Sequence, residues 1–260
     1  MYVYETSPSE LYEWIRDEVQ LDGEISAGDT GLSVRRVQEW FNLRGYGLAI
    51  DGIYGAITNE VVARFQEESF IEPTGTMNGE TFSILVQPML DVLRQRLKVS
   101  ESVKVAVLEY ARAHLERNPR EVGGQNKGPW VRMYMKGNHG QQWLWCAGFV
   151  SFILQQATES LSVQMPIPGS FSCDTLAAQA KSSGIFLAED DARHREIPAG
   201  SLFLVRRTEN DWSHVGIVEE ANELYIRTIE GNTNDEGDRE GYEVCCRSRG
   251  YTDKDFILLP

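Results

Sequence analysis

Apolar residues recur at helical spacing through the first two thirds of the chain. An acidic segment, residues 1–26, contains a short amphipathic pattern at 11–19 and no catalytic motif. Three more helices are predicted from apolar faces that repeat every three or four residues, over 32–43, 58–66 and 81–86. Glycines at 45–55 and 75–79 mark the turns between these three helices. Together the patterns predict a compact three-helix unit at 27–90.

A second helical series follows a polar, helix-like linker at 91–100. Its predicted helices cover 103–115, 146–157 and 176–184, and the last one ends in a glycine. Between the first two helices lies a loop at 118–130 that is rich in glycine and proline and too long for a tight turn. Binding residues are often found on loops of this kind, so the loop is a candidate binding segment.

Strand patterns replace helical patterns after residue 200. Apolar runs bounded by turn residues predict strands over 201–205, 214–218, 224–230 and 255–259. Helices followed by strands within one region are typical of an α+β domain. We therefore expect residues 101–260 to form an α+β domain separate from the helical unit.

Charge and composition exclude several classes of function. The chain has 260 residues, 42% of them hydrophobic, which suits one large domain or two modest ones. Its net charge of −14 leaves no cationic surplus for phosphate backbones or anionic lipid. No apolar run reaches membrane-spanning length, and residues 1–21 lack the basic start and apolar middle of a secretory signal. We expect no nucleic-acid partner, no membrane anchor and no signal peptide.

Among the four cysteines, Cys146 follows two tryptophans and begins an apolar helical pattern. The first turn of a helix has free N–H groups and the positive end of the helix dipole, and both favour a thiolate. A lone cysteine at such a place is more often a small core residue, so a partner base must be found. The cysteines show no zinc-binding spacing. Cys245 and Cys246 are adjacent and poorly placed to bond each other, whereas a disulfide from Cys173 to either of them stays open.

Four histidines are candidates for that base. His114 lies on a helical pattern and His194 in a charged run, so both are expected at the solvated surface. His139, seven residues before Cys146, is a candidate to line a site. His214 differs because it opens an apolar strand, which places a polar residue at the rim of a cleft.

The strand after His214 ends in Glu230 and Asn232, which are two residues apart and therefore face the same side of a sheet. Neighbouring strands lie about 4.8 Å apart, so the Glu230 carboxylate can hold the second imidazole nitrogen of His214. A cysteine hydrolase needs a thiolate, an imidazole base and a group that orients the imidazole. Glu230 alone would be read as a strand-end charge in water, but it occurs together with the cysteine and the histidine.

The helical unit at 27–90 resembles the peptidoglycan-binding type 1 domain. The resemblance is carried by a set of residues spread over the whole unit: Gly31, Val34, Val37-Gln38, Phe41-Asn42, Gly45-Tyr46, Asp51-Gly52-Ile53-Tyr54-Gly55, Thr58, Val61, Phe65-Gln66, Gly75, Thr81 and Leu85. It implies a small helical module that holds an enzyme on cell-wall glycan or stem peptide. Most of these positions build the fold, and Tyr46, Asp51 and Tyr54 are the candidate ligand contacts.

Residues 101–260 resemble a CHAP domain, a papain-like α+β fold with an antiparallel sheet that is related to the NlpC/P60 group. Four segments carry the resemblance: Glu121–Gly128, Trp145–Val150, Ser213–Val218 and Ile229–Asn234. It implies that Cys146 is the nucleophile, His214 the base, Glu230 the orienting group and Asn232 a supporting polar group. It further implies an oxyanion held by the backbone N–H of Cys146, with Gln141 or Gln142 as side-chain candidates.

Other residues are candidates to bind substrate in this second domain: Asn126, Gln142, Trp145 and Trp212. Trp130 is a further candidate, although an ordinary core position is at least as good an interpretation for each tryptophan. The acidic calcium-binding loop of the family has no clear counterpart before Cys146, so we assign no metal, and no cofactor is expected.

The sequence thus predicts a monomeric peptidoglycan hydrolase that cleaves an amide bond, either the N-acetylmuramoyl-L-alanine amide or a peptide bond in the stem or cross-bridge. The absence of a signal suits a phage endolysin or a toxin injected by a contact-dependent machine of the type VI kind, in which case an immunity protein would be a partner. Two alternatives stay open: an inert wall-binding protein, and a cysteine acyltransferase of the transglutaminase type.

Overall fold

The computed structural model describes residues 11–95, 102–192, 195–234 and 240–260. The chain divides into two compact units. Among the described residues, the first unit, called the N-terminal unit below, comprises 11–93 and Arg120–Gly140; the second, called the C-terminal unit, comprises those of Arg94–Pro119 and Gln141–Pro260. His194 lies outside the described residues, as does the second half of the predicted linker at 91–100.

Helices and strands alternate little along the chain. In order they are α1 (Glu13–Val19), α2 (Leu32–Leu43), α3 (Ala56–Glu68), α4 (Gly79–Leu85), α5 (Gln87–Arg94), α6 (Val103–Glu116), α7 (Pro129–Tyr134), α8 (Cys146–Leu161), α9 (Cys173–Ser182), β1 (Phe186–Leu187), α10 (Glu189–Ala192), β2 (Leu202–Thr208), β3 (Asp211–Ala221), β4 (Ile226–Thr233), β5 (Glu243–Arg249) and β6 (Lys254–Ile257). The predicted α+β class, helices first and an antiparallel sheet after, is confirmed. No helix in the described ranges is long and apolar enough to span a bilayer.

Two buried glutamines organise the glycine-rich loops of the N-terminal unit. On α2, Gln38 donates from Nε2 to Asp51 Oδ1 at 2.8 Å and accepts from the Gly52 N–H at 2.8 Å. On α3, Gln66 accepts from the Gly75 N–H at 2.9 Å, and both glutamines are 1% exposed. Buried polar groups need hydrogen-bond partners, and an amide side chain can both donate and accept. Each glutamine therefore holds a turn against the helix on which it lies.

A buried ionic cluster joins α7 to α1 and α2 within the same unit. Arg132 makes a bidentate pair with Glu18, with Nε–Oε1 and Nη2–Oε2 distances of 2.7 Å, and reaches Glu39 Oε2 at 2.7 Å. The Arg132 side chain is 8% exposed, and those of Glu18 and Glu39 are 1% and 3% exposed. Residues 120–140, which follow Pro119 of the C-terminal unit in sequence, are therefore fixed to the N-terminal unit by charges that are costly to separate.

The C-terminal unit is built on one six-stranded sheet with the order β1-β6-β2-β3-β4-β5. Each described pairing of neighbouring strands is antiparallel. Helix α8 contacts β3 and β4, two neighbouring strands of the sheet, and also packs against α6. Strands β1 and β5 and the short α10 were not predicted from the sequence.

The expected surface position of His114 is wrong. His114 lies on α6 with its side chain fully buried, where Nε2 contacts Gln156 Oε1 at 3.0 Å and the ring packs edge-on to Phe149 and Phe152. Helical spacing placed His114 on a helix, but α6 is covered on two sides, by α8 and by the sheet, so few of its positions are left for solvent. Burial lowers the pKa of His114 to about 3, which keeps the ring neutral in the folded protein.

This buried histidine makes the stability of the C-terminal unit depend on pH. Below about pH 6.5 the unfolded chain binds a proton at His114 that the folded chain refuses until about pH 3, so stability falls as pH falls through that range. We expect His114→Gln to remove about 2 kcal/mol of the loss between pH 7 and pH 4.5. Urea unfolding of both proteins at the two pH values measures this difference. Equal losses in the two proteins would contradict the assignment.

Candidate active site

Cys146 is the first residue of α8 and is 5% exposed. The residue before it, Trp145, caps the helix and donates its backbone N–H to Asn232 Oδ1 at 2.7 Å. The side chain of Asn232 also donates to the Gly241 carbonyl at 2.6 Å, so it links the start of the helix to the sheet. The N–H groups of the first turn of α8 have no helical partner of their own, which favours negative charge on the sulfur.

His214 and Glu230 meet on two neighbouring strands, β3 and β4. His214 Nε2 lies 2.8 Å from Glu230 Oε2, and the two side chains are 4% and 0% exposed. Gly216 makes this approach possible, because a Cβ at that position would lie 2.8 Å from Glu230 Cγ and 2.6 Å from a Phe203 ring carbon. With Nε2 held by the carboxylate, Nδ1 is the ring nitrogen left to accept a proton, and it has no hydrogen-bond partner in the described part of the chain.

Cys146 and His214 influence each other's ionisation. A hydrogen bond from the neighbouring thiol of Cys173, together with the charge of His214, holds the pKa of Cys146 well below its ordinary value despite burial. Burial works against protonation of His214, but the Cys146 and Glu230 charges outweigh it and raise the pKa of His214 to about 9. The charges of these side chains therefore favour the thiolate of Cys146 and the imidazolium of His214 together.

Glu230 is held from a second side by an arginine. Arg249, the last residue of β5, donates from Nε to Glu230 Oε1 and from Nη2 to Oε2, both at 2.6 Å. The Thr228 hydroxyl donates to Oε1 at 2.5 Å. Burial alone would raise the pKa of Glu230, but hydrogen bonds and charge from Arg249 and then from His214 lower it to about 2. The carboxylate is thus ionised and fully paired although it is buried.

Gly231 and Asn232 fit the strand to the cysteine helix. A Cβ at Gly231 would lie 2.8 Å from Phe149 and 2.9 Å from Trp145, so only glycine lets β4 approach α8 this closely. Asn232 has a φ of 57°, a left-handed conformation that asparagine tolerates better than most side chains. Three successive residues thus have three roles. Glu230 supplies the charge, Gly231 allows the close approach of the strand to α8, and Asn232 anchors the start of that helix.

Cys173 lies at the start of α9 with its Sγ 3.9 Å from that of Cys146. All four cysteines are free, so the disulfide left open between Cys173 and Cys245 or Cys246 is not formed. Cys173 is 8% exposed, and its thiol is the strongest influence on the ionisation of Cys146. No local pattern indicates this neighbour, because 27 positions separate the two residues in the chain.

The remaining candidate residues of the C-terminal unit divide into buried and exposed side chains. Trp145 is 0% exposed and Trp212 is 6% exposed, with Trp212 Nε1 donating to Asp255 Oδ2 at 2.8 Å. Both rings therefore lie in the core and offer little or no surface to a ligand. Gln141 and Gln142 are exposed on the turn that precedes Cys146, where a substrate has access to them.

Candidates in the N-terminal unit divide in the same way. Tyr54 is fully buried with its hydroxyl on the Gly75 carbonyl at 2.7 Å, and Asn126 is also fully buried. Tyr46 donates its hydroxyl to Glu68 and keeps part of its ring accessible. Asp51 is exposed, although Oδ1 already accepts from Gln38 and from the Ile53 N–H.

Two other candidates also lie in the N-terminal unit. Trp130 is 2% exposed and packs edge-on to Trp40, with ring centroids 6.1 Å apart. His139 lies with Nδ1 3.2 Å from Arg132 Nη1, and burial followed by the Arg132 charge lowers its pKa. These contacts are those expected of residues that stabilise the fold.

The arrangement around Cys146 can carry out nucleophilic catalysis. It provides a buried sulfur at a helix N-terminus, a base with one free nitrogen and a charged group that fixes the base. Within the described ranges, no cluster of three or more His, Cys, Asp or Glu side chains is placed to hold a metal ion.

Comparison with known families gives two matches. Residues 30–85 match the family described as a peptidoglycan binding domain, and residues 135–232 match the family described as a CHAP domain. No curated protein matches the sequence. The two family matches follow each other in the order that the sequence motifs indicated, a wall-binding domain first and a CHAP domain second.

Removing the second thiol tests its influence on the first. We expect Cys173→Ala to raise the pKa of Cys146, because alanine cannot donate a hydrogen bond to the thiolate. Alkylation of Cys146 by iodoacetamide, followed by mass spectrometry of the peptide, measures the thiolate fraction at each pH. Each unit of pKa change lowers the rate about tenfold on the acidic side.

The matched control for this prediction is Cys246→Ala, since Cys246 lies on β5 and contacts Glu219 rather than Cys146. It should leave the pH dependence of Cys146 alkylation unchanged. An unchanged profile in Cys173→Ala as well would show that the second thiol has no electrostatic role.

Proposed function

Because the chain carries a peptidoglycan-binding domain and a CHAP domain, and so has a peptidoglycan hydrolase-type function, we propose that it cleaves an amide bond of peptidoglycan through a Cys146–His214–Glu230 mechanism. The observation that supports this mechanism best is the buried His214–Glu230 pair at 2.8 Å, with the ionisation of Cys146 coupled to the same imidazole. If the His214–Glu230 pair only stabilised the fold, a thiol at a helix N-terminus beside it would serve no purpose.

In the first half of the reaction the Cys146 thiolate attacks the amide carbonyl carbon. The carbonyl π electrons move to oxygen, and a tetrahedral intermediate forms. The backbone N–H of Cys146, at the start of α8, is the donor best placed for that oxyanion, with Gln141 or Gln142 as exposed side-chain candidates. The His214 imidazolium then gives its proton to the leaving nitrogen as the C–N bond breaks, which releases an amine and leaves a thioester on Cys146.

In the second half, neutral His214 takes a proton from water, and the resulting hydroxide attacks the thioester. Collapse of the second tetrahedral intermediate expels the Cys146 thiolate and releases a carboxylic acid. Glu230 stays ionised throughout and holds the imidazole so that Nδ1 can face the sulfur. Asn232 keeps the start of α8 in place through the Trp145 N–H.

We further propose that the helical module at 27–90 holds the enzyme on the wall, while residues 101–260 supply the catalytic residues. A matched wall-binding family at 30–85 supports the first part of this division. Tyr46 and Asp51 are the predicted ligand contacts that have accessible side-chain surface. Tyr54 would act through the loop that it supports rather than by direct contact.

Digestion of purified sacculi with mass analysis of the fragments tests the proposal. We expect the wild-type protein to release fragments with a new amine and a new carboxylate, and their masses identify the bond that is cut. Cys146→Ala should lower the rate by at least about a thousandfold, because the nucleophile is lost. The same variant should still bind sacculi, since Cys146 lies outside the matched wall-binding domain.

Cys246→Ala is the control, because it removes a half-buried thiol from the same sheet and should retain activity. Near-normal hydrolysis by Cys146→Ala would refute the mechanism. Cross-linked or acyl-transferred products would favour the acyltransferase alternative, and binding without any new chain ends would favour the inert wall-binding protein.

A further inference from the structure

Among the described residues, Glu230 forms ion pairs with two side chains, His214 and Arg249. The Arg249 guanidinium meets the carboxylate with two parallel bonds of 2.6 Å, the planar geometry that a guanidinium fork provides and an ammonium cannot. The Arg249 side chain is 19% exposed and Glu230 is 0% exposed, so the pair is largely shielded from solvent and salt.

The charges around this carboxylate balance only when Arg249 is included. In the reactive state Cys146 and Glu230 are negative and His214 is positive, which would leave one uncompensated negative charge in a buried place. Burying an unpaired charge is costly, and the cheapest relief is to protonate one of the two anions. Arg249 cancels the excess, so both anions can persist beside one imidazolium.

We propose that Arg249 is a positioning residue of the active site, which keeps Glu230 ionised and fixed so that the Cys146–His214 ion pair can form. This inference rests on the proposed function, because it assigns Arg249 a part in the same catalytic arrangement. Arg249 does not touch the sulfur or a reacting atom; it acts through Glu230.

Other groups around Arg249 are consistent with this role. Its guanidinium carbon lies 5.8 Å from the centroid of the Phe203 ring, a distance at which a cation is attracted to the ring face. Among the described residues, Lys254 on β6 and Cys245 on β5 also interact electrostatically with Arg249, and the Arg249 charge lowers the pKa of Lys254 after the effect of burial. Lys254 also interacts with the charge of Glu230, but in the part of the chain that the structure describes the hydrogen bonds and ion pairs of the Glu230 carboxylate are with His214, Thr228 and Arg249.

Removing the guanidinium should make the Cys146 thiolate less stable by either of two routes. If Glu230 stays ionised, its uncompensated negative charge disfavours a second anion at Cys146. If Glu230 becomes protonated instead, His214 loses its charged partner and the imidazolium that stabilises the thiolate weakens. Both routes raise the pH at which the thiolate forms, so the direction of the effect does not depend on which route is followed.

The experiment measures the pH dependence of Cys146 alkylation by iodoacetamide in the full-length protein and needs no peptidoglycan. For Arg249→Met we expect the acid-side midpoint to rise by about one pH unit, with a rate about tenfold below wild type at pH values below the wild-type midpoint. Arg249→Lys keeps the charge but loses one of the two bonds, so it should shift the midpoint by less. A midpoint is independent of the amount of folded protein, so partial misfolding would not imitate the shift.

Arg227→Met is the matched control. Arg227 lies on β4, its side chain is 52% exposed, and it pairs with Glu219 at 2.9 Å. It loses the same charge from the same sheet, and the alkylation midpoint should not move.

A double-variant comparison shows whether Arg249 acts through Glu230. In a Glu230→Gln background the carboxylate is already absent, so adding Arg249→Met should shift the midpoint by much less than it does in the wild type. Equal shifts in the two backgrounds, or an unchanged midpoint in Arg249→Met, would overturn the inference. If wild-type Cys146 itself reacts no faster than Cys246, the proposed function fails first, and the two failures are thus distinguishable.

Discussion

The candidate active site depends on burying one carboxylate without leaving its charge unpaired. Glu230 is fully buried, and each of its oxygens is occupied, by His214 and Arg249 on one and by Arg249 and Thr228 on the other. A fully buried carboxylate destabilises the fold unless its oxygens accept hydrogen bonds and its charge is paired. The pairing of β3, β4 and β5 brings those donors together around Glu230. The order of the strands in the sheet therefore determines whether the carboxylate can be buried as an anion.

Several local choices in the chain follow from that constraint. Gly216 leaves room for the side chain of Glu230, and Gly231 lets the strand approach the cysteine helix. Asn232 then takes a left-handed conformation, which turns its amide toward the Trp145 N–H. Each of these residues is small or unusually tolerant in its backbone, and a larger side chain would separate Cys146 from the base or the base from its carboxylate.

The sequence predicted those parts of this arrangement that depend on short-range pattern. Helix α8 begins at Cys146 as its apolar spacing indicated, and the period-two geometry of strands placed His214 and Glu230 within reach. Arg249 was missed because β5, with the sequence EVCCRSR, lacks a clear apolar alternation. Its register pairs Glu230 with Cys245, and only a long side chain four positions further on reaches back to the carboxylate. Such a contact is set by strand pairing between distant segments, which a local pattern does not contain.

Each of the two compact units buries a charged side chain between oppositely charged partners, but the partners differ in kind. In the N-terminal unit the buried cation Arg132 lies between the carboxylates of Glu18 and Glu39. In the C-terminal unit the buried anion Glu230 lies between Arg249 and His214, and an imidazole can give up its proton. A guanidinium keeps its charge, whereas the imidazole of His214 can titrate. The second ion cluster can therefore hold a proton and release it. This difference, rather than burial or ion pairing by itself, is why we propose a catalytic role for the second cluster and a stabilising role for the first.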